Sequence, residues 1–250
     1  MPALELTGER TLPDVPAENY WYRRHLAVYR WIAGRCAGKR VVDMACGEGY
    51  GAAVLAEGAA QVIGVDANPE AHEHARLKYR RENLSFKRAL VEEFEEEAPY
   101  DAVVFLQTVE HIEDPVPLLE HLRSMLLPGG LAFISTPNRL TLAPPGASRS
   151  GNPWHVREYT AAEFEKVLDP VFESTELLGV FHARKLRLHD RALRLGWDRL
   201  HGALSLTERF YGWFVPAIDE RDFAIRASDL DGALDFLAIC GPTGREPHSR

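Results

Sequence analysis

The stretch Val41-Val42-Asp43-Met44-Ala45-Cys46-Gly47-Glu48-Gly49-Tyr50-Gly51 constrains this chain most. An apolar run ends at an acid, passes a glycine-rich turn and enters Ala52-Ala53-Val54-Leu55-Ala56, which reads as a helix. This is a strand–turn–helix unit. Glycine allows a tight turn and lets backbone approach a ligand where a Cβ would clash. The start of the following helix presents unpaired N–H groups. The turn is therefore expected to hold a small molecule.

A second apolar run, Val62-Ile63-Gly64-Val65, ends at Asp66. It lies about one βα unit downstream, where nucleoside-binding folds place the acid that bonds ribose hydroxyls. Asn68-Pro69 caps and starts the next helix. Gly47-x-Gly49-x-x-Ala52 also satisfies the dinucleotide fingerprint, so two cofactor classes compete at this point.

The rest of the chain separates them. Asp43-x-x-x-Gly47-x-Gly49-x-Gly51, Asp66, Leu127-Pro128-Gly129-Gly130 and Ser135-Thr136-Pro137-Asn138 occur in that order. Glu110-His111-Ile112-Glu113-Asp114-Pro115 and Asn152-Pro153-Trp154-His155-Val156-Arg157-Glu158 join them. As a set they resemble the class I S-adenosylmethionine-dependent methyltransferases, and within these the small-molecule and glycan-associated branch. The resemblance spans roughly residues 9 to 181. It implies S-adenosylmethionine as cofactor and a Rossmann-like, doubly wound, seven-stranded, mostly parallel sheet with helices on both faces.

An NAD(P)-dependent oxidoreductase is the competing reading. Against it, the chain has no Tyr-x-x-x-Lys pair, and Asp43 is no part of that fingerprint. A non-catalytic cofactor-binding subunit is the third reading, and the intact turn with both acids weighs against it.

The 250 residues, 46% of them hydrophobic, suffice for one α/β domain with a small subdomain. A net charge of −8 disfavours general nucleic-acid binding. Cys36, Cys46 and Cys240 are too scattered for a disulfide framework or a zinc site. No signal peptide and no bilayer-spanning run is read, so a cytoplasmic enzyme without integral membrane association is expected. The sequence sets no oligomeric state, and a homodimer is compatible with it.

Residues 1–16 contain scattered breakers and are expected to wrap the surface. Glu9-Arg10 matches a pair seen near this family's start, though a solvated ion pair explains it equally well. Residues 17–36 read as an aromatic-rich helix, and residues 1–38 as a cap over the cofactor, as the resemblance implies. Tyr20, Tyr22 and His25 are candidates for that cover, whereas Trp21 is expected to pack the helix on the sheet. Strands are read at 40–45, 61–65, 84–88, 101–107, 131–135, 172–181 and 233–240, with helices at 69–82 and after Asp114-Pro115. The third strand lacks the acid many relatives use for the adenine amino group. Leu90 stands there, leaving adenine to backbone N–H, Glu92 or apolar contact. Residues 137–157 form a long loop rich in Pro, Gly and Ser. Thr160-x-x-Glu163 is a capping box, and 242–250 reads as a mobile tail.

Before the last strand, 182–228 is expected to be a helical insertion, a candidate acceptor lid. Six basic residues between 184 and 199 face only Asp190 and Asp198 in that stretch. They fit a solvated helix face, or a surface that attracts an anionic acceptor or membrane. Trp197, Phe210, Tyr211, Trp213 and Phe214 supply apolar surface for its packing.

Ligands of open α/β sheets bind beyond the carboxyl ends of the strands. This places Asp43, Gly47, Gly49, Tyr50, Asp66, Ala67, Val91 and Gln107 at the cofactor. Asp66 is assigned to the ribose diol, and Asp43 with the Gly47 backbone to the α-ammonium. The expected acceptor is a small molecule or glycan, above all a hydroxyl of a sugar or glycosylated metabolite; a phenol, or a nitrogen or carbon nucleophile, stays open. A hydroxyl must lose its proton, and histidine suits that task near neutral pH. His155, His111 and His25 compete for it, with His25 better suited to packing or cofactor cover. The sulfonium already carries the charge lost in transfer, and no Asp/Glu/His cluster has ligand-like spacing in sequence, so a reaction without metal is expected.

Overall fold

A computed structural model describes residues 11–96, 98–144, 146–147, 149–203 and 206–241. The Glu9-Arg10 pair and the 242–250 tail lie outside the described residues.

Helix α1 (Asn19–Ala33) leads into β1 (Arg40–Met44), α2 (Tyr50–Leu55), β2 (Gln61–Asp66), α3 (Pro69–Lys78) and β3 (Leu84–Arg88). Strand β4 (Tyr100–Leu106), α4 (Pro115–Ser124), β5 (Leu126–Pro137), α5 (Arg139–Leu142), α6 (Ala161–Leu168) and β6 (Ser174–His182) follow. The chain then forms α7 (Arg184–Arg194), α8 (Trp197–Ala203), α9 (Thr207–Phe214), β7 (Phe223–Arg226) and β8 (Asp235–Gly241). These strands make one sheet in the order β3-β2-β1-β4-β5-β8-β6-β7. The first five in sequence pair in parallel, while β8 runs antiparallel to both β5 and β6.

The sheet has eight strands among the described residues, not the seven expected. The extra strand, β7, lies inside the insertion and pairs antiparallel with the outer edge of β6. Only four residues long, it carries too little alternation to be legible in sequence. It also covers part of an edge that would otherwise present unpaired backbone groups.

Alternation along the buried strands feeds two cores. Val42, Met44, Val103 and Phe105 face one, shared with Leu119 and Leu122 of α4 and Phe164 of α6. Val41, Ala102 and Val104 face the other, shared with Leu26, Tyr29 and Ile32 of α1 and Leu55 of α2. The side chain of Asn68 caps α3 by accepting from Glu70 N and Ala71 N, and Thr160 with Glu163 forms the expected capping box. Helix α3 ends at Lys78 rather than near 82. Tyr79 turns extended, and its hydroxyl donates to Glu48 at 2.9 Å, an interaction unavailable to a continuing helix.

Candidate active site

Four strand ends meet at a cavity of about 710 Å³. Its floor is the turn after β1, from Ala45 to Glu48 with Tyr50. Asp66, Ala67 and Asn68 after β2 form one wall, and Leu90, Val91 and Glu92 after β3 extend it. Leu106, Gln107, Thr108 and His111 after β4 form the opposite wall. His25 and Tyr29 of α1, with Thr11, cover it, and Trp154 stands at its acceptor-side edge.

The backbone here is held away from its usual wells. Ala45 and Gln107 have φ of 56° and 51°, and Gly47 a φ of 54°. Non-glycine residues in that region store roughly 1–3 kcal/mol of strain each, a cost tolerated mainly where function fixes the shape. Gly47 lines the cavity, and a Cβ built there would meet nothing within 4 Å. Gly49 differs. A Cβ there would lie 2.7 Å from the Ala75 Cβ and 2.9 Å from Phe86, so this glycine lets α3 and β3 close on the turn. Gly49 is not among the residues that line the cavity, in contrast to its sequence assignment.

Asp66 organises the turn as well as facing the cavity. Its carboxylate accepts from Gly47 N at 2.7 Å and from Asn68 N at 2.9 Å. Glu48, given no role of its own in the sequence reading, is buried and bonded by Tyr50 N, Lys78 Nζ and the Tyr79 hydroxyl. The signal was present as the central acid of the Gly-Glu-Gly-Tyr-Gly turn.

Asp43 is fully buried behind the cavity surface, not on it. Its Oδ1 accepts from the Tyr29 hydroxyl at 3.2 Å, and its Oδ2 has no hydrogen-bond partner among the described residues. Burial raises its pKa from 3.8 to about 8. A carboxylate left incomplete in this way fits a cationic ligand group close by. Burial likewise lowers the His25 pKa to about 4, so this imidazole covers the cavity in its neutral form. Trp21 corrects an expectation. It is 39% exposed, with the Arg24 guanidinium 5.0 Å from its ring centroid, rather than packed on the sheet.

The His111 side of the cavity is built from two segments far apart in sequence. Val156 N and Arg157 N both donate to the Glu110 carbonyl, which fastens the 149–158 loop to the turn after β4. His111 donates from Nδ1 to the Trp154 carbonyl at 2.9 Å. His155 is buried, with Nδ1 2.8 Å from Glu158 Oε1 and Nε2 3.0 Å from Asn152 Nδ2. Burial would raise the Glu158 carboxyl, but hydrogen bonds from Ser150 and His155 hold it below its usual value. Glu110 is buried, accepts from Thr136 Oγ1 at 3.2 Å, and is raised to about 8 by burial. The rings of His111 and His155 are 5.2 Å apart between centroids. Of the two, His111 lines the cavity and His155 stands behind it. The insertion lies elsewhere. No described residue of 183–228 lines this cavity; the segment packs beside α1, where Asn19 Nδ2 donates to Val215 O at 2.8 Å and Ile218 O at 3.0 Å.

A family model described as a methyltransferase domain matches residues 20–190. The chain is 38% identical over 247 residues to a probable S-adenosylmethionine-dependent methyltransferase of Mycolicibacterium smegmatis, covering 95% of both chains. It is 36% identical over 117 residues to a ubiquinone biosynthesis O-methyltransferase of Acinetobacter baylyi, covering 44% of this chain and 49% of that protein. The crystal structure of an S-adenosylmethionine-dependent methyltransferase from Mesorhizobium loti matches with a TM-score of 0.58 at 18% identity, covering 87% of this chain and 97% of that one, a likeness of fold. These matches set the nicotinamide reading aside. The chain belongs to the methyltransferase domain family, and S-adenosylmethionine is its methyl donor.

Proposed function

We propose that this methyltransferase transfers a methyl group to a hydroxyl of a small polyhydroxylated acceptor, a sugar or glycosylated metabolite, in the cytoplasm. The observation that carries the reading is the shared cavity. The cofactor turn and His111 line one continuous space, and the Nδ1–H of His111 is committed to the Trp154 carbonyl. That leaves Nε2 as the lone-pair nitrogen, the form able to accept or help remove a hydroxyl proton. The partial similarity to a ubiquinone biosynthesis O-methyltransferase supports oxygen as the nucleophile.

The cofactor, when bound, supplies an electrophilic methyl on a sulfonium. The chain's own task is alignment. Asp66 accepts from the ribose diol while bracing the turn. Gly47 receives the ammonium end, and the buried Asp43 favours its charge from behind the cavity surface. Leu90 and Val91 give adenine an apolar face, in place of the missing acid. Trp154 borders the acceptor, and His155 holds the loop that carries it.

The test is turnover with S-adenosylmethionine against a panel of sugars, glycosides and phenols, read as S-adenosylhomocysteine release and by the product's methyl linkage. An O-methyl sugar or glycoside is expected. Exclusive N- or C-methylation would overturn the reading.

A further inference from the structure

We infer that Glu110, His111 and His155 form a binding site for one divalent transition-metal ion at the acceptor end of the cavity. The inference rests on the hydroxyl-acceptor reading for its chemistry, but not for its geometry. One ligand atom from each of the three residues lies within 4.8 Å of the others. Glu110 and His155 are buried and His111 is half-buried, so protein closes the site on one side and the cavity meets it on the other.

The hydrogen bonds around the two rings fix which nitrogens can ligate. Asn152 Oδ1 accepts from Trp154 N at 3.0 Å, which makes Nδ2 the end that faces His155. An amide nitrogen only donates, so His155 Nε2 is the acceptor and Nδ1 carries the proton. That Nδ1–H donates to the Glu158 carboxylate. In His111 the Nδ1–H donates to a carbonyl, which gives the same tautomer. Both rings thus offer Nε2 as a lone pair and are oriented through Nδ1 by an oxygen acceptor. This is how ligating histidines are held, and a carboxylate in that outer position raises ligand basicity. Asn152 caps the His155 lone pair in this arrangement and would yield it to the ion.

Two neutral imidazoles and the Glu110 carboxyl, which would give up its proton to bind, suit zinc, manganese or ferrous ions better than magnesium or calcium, which prefer all-oxygen sites. Three protein ligands leave open positions, and the cavity lies beside them. With His111 Nε2 on the ion, the ion in place of the free imidazole would promote loss of the acceptor hydroxyl's proton. The proton passes to water in the cavity. The oxygen's electron pair then forms the O–CH3 bond while the CH3–S pair returns to sulfur, leaving the methyl ether, neutral S-adenosylhomocysteine and one released proton. The separation of residues 110 and 155 in sequence hid this cluster from any spacing rule, and the proposal departs from the expectation of a reaction without metal.

The experiment uses full-length protein dialysed against a chelator and then titrated with Mn2+ and Zn2+. Free Mn2+ is followed by electron paramagnetic resonance and Zn2+ by calorimetry. One equivalent of at least one ion is expected to bind. Glu110→Gln and His111→Ala should each weaken that binding at least about tenfold, and Glu158→Gln, at the residue that orients His155 while also accepting from Ser150, by about 10–100-fold. His121→Ala, at a residue in α4 bonded to the Phe94 carbonyl, should leave it unchanged. Circular dichroism establishes that each variant is folded. His111→Ala, at a half-buried position, keeps the test decisive if a buried variant does not fold. Absence of stoichiometric binding by the wild type, or binding indifferent to His111→Ala, would overturn the site. Binding with N- or C-methyl products would sink the hydroxyl reading and leave the site standing. O-methylation at full rate in chelator, without stoichiometric ion binding, would do the reverse.

Discussion

Asp43 shows how one side chain links fold and cofactor. It ends the first strand, where the sequence made it conspicuous, yet it lies beneath the cavity with one oxygen unpartnered. Its carboxyl is raised by burial from 3.8 to about 8 and is therefore protonated at neutral pH. An acid with a raised folded pKa holds a proton the unfolded chain has lost. Its stabilising contribution is complete below the unfolded value and falls away as pH climbs through about 8. A bound ammonium favours the carboxylate, so cofactor binding near pH 7 is expected to release close to one proton. The observed calorimetric enthalpy should then vary with the buffer's ionisation enthalpy, and affinity should rise with pH until about 8. Asp43→Asn should weaken binding by roughly 1.5–3 kcal/mol and abolish the proton release, with the melting temperature little changed. Binding without proton release in the wild type would remove Asp43 from the ammonium's neighbourhood. Asp66 is a less clean probe, because it braces Gly47 N and Asn68 N as well as facing the ligand.

Helix α1 is tied down by an interaction that no periodicity reveals. Arg24 pairs with Asp235 at the start of β8 through Nε at 2.5 Å and a second guanidinium nitrogen, and donates to Leu234 O at 2.7 Å. Both side chains are buried. Breaking such a pair leaves an uncompensated charge, so Asp235→Leu should lower unfolding free energy by about 3–5 kcal/mol in urea titration, and adding Arg24→Met should recover most of the loss. Equal losses in the single and double variants would mean the apolar contacts, not the pair, hold the helix. Periodicity did locate the helices and buried strands, since their faces repeat over many residues. It could not reveal that Tyr79 leaves α3 for Glu48, nor that Trp213 is 72% exposed while Phe214 beside it is buried. The insertion's anchors to α1 lie at His182, Val215, Ile218 and Glu220, so replacing 183–214 by a Gly/Ser bridge spares them. With the anchors kept and no described residue of the segment at the cavity, the deletion is expected to leave both cofactor affinity and acceptor turnover intact. Equal loss of both, with a lower melting temperature, would make the segment structural core.

At the scale of the molecule, the parallel strand ends deliver one half of the site and a long loop delivers the other. The half proposed for the cofactor was legible because each residue follows its strand within a few positions: Gly47, Asp66, Val91 and Gln107 all reach the cavity. The half proposed for the acceptor was legible only as separate motifs. Two backbone bonds to the Glu110 carbonyl bring the 149–158 loop against the turn after β4, and no local pattern encodes that closure. The central claim is that methyl leaves the cofactor turn for a hydroxyl at the His111 end of one cavity. It is tested most directly by turnover with S-adenosylmethionine labelled with carbon-13 in the methyl group, followed by NMR for the wild type and His111→Ala. An O-methyl resonance is expected to grow with the wild type, and at least about 100-fold more slowly with the variant. A methyl on nitrogen or carbon, or equal rates in the two proteins, would contradict it.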